Sequence, residues 1–234
     1  MNFDKSIKNN DLIIFCSKGL EGFSNEFIDY FNGSIKRVKE ELSIDQETKL
    51  RIVLTDDEEK AGFVYGKTAF SGFFNDTGAF AYINIDGDRT KKNLFQGLMH
   101  ELVHHLYKYY VYGSDNERIT WVDEGLAQLL SGQKNYLNDK EKYYLFLEEN
   151  LRSIDNVDLN GLNHDDKSFG NNNGYNLSYI AIRYLYETYS HEEFIDIIKS
   201  KEKLLGFGSK IINQIKSEQN NNNTERITGD QMKK

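Results

Sequence analysis

His100-Glu101-Leu102-Val103-His104 is the segment of this chain whose residue types and spacing can do chemistry. Residues four apart on a helix lie one turn apart on one face. Two imidazoles placed so can share one tetrahedral zinc ion, and Glu101 between them can reach a water activated there. Such a pentapeptide can arise by chance, so a third ligand matters. Trp121-Val122-Asp123-Glu124-Gly125-Leu126-Ala127 supplies one, because Glu124 follows His104 by 20 positions. Two histidines and a carboxylate are a donor set of catalytic zinc sites, which keep a position open for water. The reading is one Zn2+ per chain, held by His100, His104 and Glu124, with Glu101 as general base. A purely structural site would need no Glu101 and would favour a closed Cys and His set.

These residues need elements that bring them together. On a helical wheel Leu94, Phe95, Leu98, Met99, Leu102 and Leu106 form an apolar arc, and His100 and His104 fall opposite it. Gly97 lies near the histidine pair and leaves room there, while His105 points nearer the arc and is expected to pack or hydrogen-bond. Thr120 is the expected cap of the second helix, with Asp123 as its capping partner. The turn at Gly113-Ser114-Asp115-Asn116 lets that helix fold back on the first.

The pattern predicts an α+β fold. Asp11 to Cys16 and Leu50 to Leu54 read as strands. Between them a helix capped by Ser24 buries Phe27, Ile28, Phe31, Ile35, Val38 and Leu42. Phe80 to Ile85 alternates as a further strand. Helices are predicted near 91–111, 121–132, 139–152, 175–189, 191–200 and 209–217, with a capping box at Ser190-His191-Glu192-Glu193 and a loop over 155–173. The domain reading is therefore a small β-α-β lobe with a mixed sheet over 1–90, a mainly helical catalytic lobe over 91–217, and a flexible tail over 218–234. The metal site is expected at the cleft between the lobes.

The 234 residues suffice for one well-buried core, and 15 Phe with 15 Tyr should fill much of it. A net charge of −8 without a basic run argues against a nucleic-acid partner. Lys36-Arg37-Val38-Lys39 reads as a solvated helix face, and Asn220 to Asn223 as loop or composition bias. The single cysteine, Cys16, permits no intrachain disulfide and is expected to be buried. No apolar h-region follows Met1, and no apolar run approaches the ~20 residues that span a bilayer, so the expected location is cytoplasmic. No sequence feature speaks to oligomeric state.

His100-Glu101-x-x-His104 with Glu124 resembles the gluzincin metallopeptidases, the group of thermolysin and the aminopeptidase N-like enzymes. The Trp-x-x-Glu-Gly-x-Ala form at 121–127 is most similar to the aminopeptidase N-like branch and its smaller bacterial relatives. The likeness covers about residues 78 to 190. It implies a zincin-like fold and a peptide or protein substrate. It also implies an oxyanion donor: Tyr175, opening a helix 51 residues past Glu124, matches the aminopeptidase N-like tyrosine, and His164 stands where thermolysin-like enzymes use a late histidine. Gly78 to Tyr82 would be the edge strand that pairs with substrate. One departure is Gln128, where thermolysin-like enzymes carry an Asp that orients a zinc histidine. No Gly-x-Met-Glu-Asn-like anchor for a peptide terminus is present, which favours an endopeptidase. The alternatives are a non-catalytic zinc- or peptide-binding domain, and a zinc hydrolase acting on a non-peptide substrate.

Overall fold

Apolar alternation builds the sheet. In a computed structural model, which describes residues 5–9, 11–57, 69–164 and 166–219, five strands pair in the order β1-β2-β3-β5-β4. They are β1 (Lys5–Lys8), β2 (Leu12–Cys16), β3 (Leu50–Thr55), β4 (Phe70–Asn75) and β5 (Gly78–Ile83). The central pairs β2–β3 and β3–β5 are parallel, and the flanking pairs β1–β2 and β4–β5 are antiparallel. Leu12, Ile14 and Cys16 alternate inward on β2, as do Leu50, Ile52 and Leu54 on β3. Helix α1 (Glu21–Glu41) connects these two parallel strands and packs on β2. The N-terminal part is thus a mixed sheet with α1, and a mainly helical part follows.

The helices after the sheet are α2 (Lys91–Leu106), α3 (Thr120–Leu130), α4 (Lys140–Leu151), α5 (Ser168–Asn171), α6 (Gly174–Thr188), α7 (His191–Lys199) and α8 (Lys201–Gly208), then a helix over residues 211–219. A π-helical segment, Tyr107–Tyr112, extends α2 and stops at Gly113. No described helix is long and apolar enough to cross a membrane.

The chain forms two compact units. The first, Met1–Asn116 with Leu126–Gln133, has the sheet, α1, α2 and the end of α3. Its α2 packs on β4 and β5, and Phe95 of α2 meets Phe23, Phe27 and Tyr30 of α1 at ring separations of 5.0, 5.6 and 5.5 Å. The second unit is Glu117–Gly125 with Lys134–Lys234. Fully buried there are Trp121, Phe169, Ile180 and Ile198. Helix α3 runs unbroken through the division in the chain.

Several expectations change. β4 and β1 are strands that local patterning does not reveal. The strand expected to reach Ile85 ends at Ile83, and Ile85 is exposed. The strand at Gly78 to Tyr82 is no edge: β5 lies between β3 and β4, and among the described residues β4 is the margin. Ser24 does not cap α1, which starts at Glu21; its hydroxyl donates instead to the Leu20 carbonyl at 2.8 Å. Thr120 is already the first helical residue of α3. Arg37 is not wholly solvated, since it donates to the Leu130 carbonyl at 3.0 Å. The loop expected over 155–173 holds α5 and a short 3-10 turn, Leu159–Gly161. The Ser190–Glu193 capping box is present. Cys16 is buried. The expected tail beyond Gln219, with Asn220 to Asn223, lies outside the described residues.

Candidate metal centre

Helix α2 begins where the Thr90 side chain accepts from the Asn93 amide at 3.3 Å. Leu98, Met99, Leu102 and Leu106 are fully buried, which fixes the rotation of the helix. With that rotation set, His100 and His104 project one turn apart, their rings perpendicular at 4.5 Å between centroids. His104 is buried and His100 half-buried.

Strand β4 lies along this helix and touches it at each turn of the motif. The Phe70 ring covers Gly97, where a methyl carbon would lie 3.2 Å from it. The space expected at Gly97 is therefore filled by an aromatic ring. Gly72 faces Glu101, and a methyl carbon at Gly72 would stand 2.9 Å from Glu101 Cγ. Phe74 stacks on His104 at 5.1 Å and 22°. Finally, His105 Nδ1 lies 2.9 Å from the Asn75 carbonyl oxygen. Burial pushes His105 below the usual histidine range, against the opposing pull of the Asn75 carbonyl and Asp76. His105 thus packs and hydrogen-bonds, as its place near the apolar arc requires.

Helix α3 buries Trp121, Val122, Leu126 and Ala127, which fixes the rotation that presents Glu124, the fifth residue of the helix. Gly125 follows for a steric reason. A methyl carbon there would stand 2.5 Å from the Ser178 carbonyl oxygen and from Ile182 Cγ1, so α6 runs directly over the α3 backbone. The Trp121 indole N–H donates to Asn160 Oδ1 at 3.2 Å.

His100, His104 and Glu124 form a cluster able to hold a metal ion: each offers one ligand atom, all within 4.8 Å of one another. Two imidazole nitrogens and a carboxylate oxygen form a donor set that divalent first-row ions accept. No known family model and no curated protein matches this chain. The assignment of the site therefore stands on the chemistry of its side chains.

Around Glu124 lie residues that local sequence did not connect to it. Its Oε1 accepts from Arg118 Nη2 at 3.0 Å and lies 3.1 Å from His164 Nε2. Arg118 Nε donates to Asp123 Oδ2. Asp123, expected to reach back to a Thr120 cap, is taken by this arginine. The only local hint of Arg118 is a cation six positions before Glu124. The position that departs from the thermolysin-like pattern, Gln128, is buried.

Tyr175 and His164 are in one cluster. Their rings are 5.6 Å apart, and both meet Phe169, at 4.9 and 4.4 Å respectively. Tyr175 is the second residue of α6 and is 46% exposed, so it stands open to solvent at a helix start. His191 is exposed in the first turn of α7.

Proposed function

We propose that this chain is a zinc-dependent peptidase of gluzincin type, with one Zn2+ held by His100, His104 and Glu124. The observation that carries the reading is the convergence of those three ligand atoms within 4.8 Å. A zinc ion there would polarise the scissile carbonyl and lower the pKa of a coordinated water towards ~7. Glu101, buried one position from His100, takes the proton of the attacking water and passes it to the leaving amine. Water adds its oxygen to the carbonyl carbon, the C–N bond breaks, and no acyl-enzyme forms.

The substrate is an extended peptide lying antiparallel on β4. That strand is the sheet margin among the described residues, and Gly72 brings it against Glu101. This takes over the role expected of Gly78 to Tyr82. The lack of an anchor for a peptide terminus favours internal cleavage. Tyr175 donates to the oxyanion. A second reading gives that task to His164, and the observation in its favour is the 3.1 Å approach to Glu124.

Metal analysis by mass spectrometry, run beside cleavage of an unstructured protein, tests the proposal. The expected result is one zinc per chain, loss of zinc in Glu124→Ala, and turnover that a chelator abolishes. A wild-type chain free of zinc after exposure to stoichiometric metal would overturn it. Zinc binding without turnover of any peptide would leave instead a binding domain or a hydrolase of another substrate class.

A further inference from the structure

The two acidic side chains Asp123 and Glu124 are adjacent near the start of α3, with side-chain exposures of only 2% and 6%. Adjacent buried carboxylates repel each other and lose hydration, so a compensating cation is needed. Among the described residues Arg118 reaches both, through Nε to Asp123 and Nη2 to Glu124.

We propose that Arg118 is a positioning residue for Glu124, holding its carboxylate in the ligating orientation by bridging it to Asp123. This inference rests on the metal-centre reading above. A guanidinium is planar and presents donors in fixed directions, so anchoring Nε on Asp123 also sets where Nη2 meets Glu124. Without that bridge the Glu124 side chain would recover rotamer freedom and would have to be ordered when metal binds. The two carboxylates would also lose the cation they share. Asp123 is then the anchor of the bridge rather than a helix-capping residue, which accounts for its burial without a capping role. Partners that orient a ligand in this way typically change metal affinity by about 10- to 100-fold when removed.

The test measures the zinc dissociation constant of the full chain by chelator competition, with the thermal midpoint of the metal-free chain recorded alongside. Arg118→Ala is expected to weaken zinc binding by about 10- to 100-fold. Arg118→Lys restores the charge but, as a point donor, cannot hold both carboxylates in fixed directions, so it should recover only part of the affinity. A merely structural arginine would lower the metal-free midpoint and leave zinc affinity within about threefold of wild type, against the 10-fold or greater loss expected of a ligand-orienting partner. That result in Arg118→Ala overturns the proposal. If Arg118→Ala does not fold, wild-type affinity in Arg118→Lys overturns it equally. Failure of the metal-centre reading looks different, because the wild-type chain itself would then bind no zinc.

Discussion

Gly72 on β4 lies so close to Glu101 on α2 that a methyl carbon there would come within 2.9 Å of its Cγ and 3.0 Å of its Oε1. The Phe70 ring would stand at 2.9 Å as well, so a side chain fits at that point only if Glu101 and Phe70 both move. Gly72→Ala is therefore expected to displace Glu101, the proposed base, while sparing the proposed metal ligands. Misplacement by about 1 Å costs about 100-fold in rate. The expected outcome is a fall in kcat of that order with zinc content unchanged, read from steady-state kinetics and metal analysis of one preparation. Undiminished turnover would show that the Glu101 side chain rearranges without cost.

Glu101→Gln replaces an acceptor of protons with a neutral amide of the same shape. Zinc content and thermal midpoint should match wild type, and turnover should fall by about 100- to 10,000-fold. Near-normal kcat in this variant would remove Glu101 from the mechanism.

Tyr175 and His164 are distinguished by a pair of variants. Tyr175→Phe removes one hydroxyl from a half-exposed ring, and if that hydroxyl is the oxyanion donor, as proposed, kcat should fall by about 100- to 1000-fold with little change in KM. Should His164 be the donor, the large fall appears in His164→Ala and Tyr175→Phe stays near wild type. Zinc content must be followed in the His164 variant, because its ring approaches Glu124 at 3.1 Å.

Gly125→Ala pushes a methyl group into the Ser178 carbonyl and Ile182 of α6, each 2.5 Å away. Overpacking of this kind costs about 1–3 kcal/mol. Chemical denaturation of the metal-free chain should report that loss. Zinc affinity should fall too, because Glu124 precedes Gly125 on the strained turn. A variant as stable as wild type would mean that α6 moves away freely.

The parts of the site legible in sequence are those encoded by helical period. The spacing of His100, Glu101 and His104 and the apolar arc from Leu94 to Leu106 are local properties of one helix. Glu124 was within reach because Trp121, Leu126 and Ala127 mark a second one. Strand β4 was hidden because Phe70-Ser71-Gly72-Phe73-Phe74-Asn75 has no clean alternation, and its place at the margin depends on pairing with β5. For the same reason β5 was mistaken for the edge: strand order is not written in any single strand. Arg118 and His164 were invisible as neighbours of Glu124, since each contact depends on how a loop returns to the start of α3. The misplaced cap at Ser24 has another cause. A hydroxyl inside a helix can bond a carbonyl one turn back, so its presence alone does not mark a helix start.

The position of β4 carries a cost of its own. Its six residues contain neither lysine nor proline, two devices by which natural sheets blunt an exposed edge, and Phe73 is 40% exposed on it. If β4 receives an extended peptide, as proposed, it would not discriminate between a foreign chain and a neighbouring copy of its own. Crowding, more than heat, is therefore expected to be the condition under which this protein sticks to itself. A bound peptide-like inhibitor that occupies β4 should keep it dispersed.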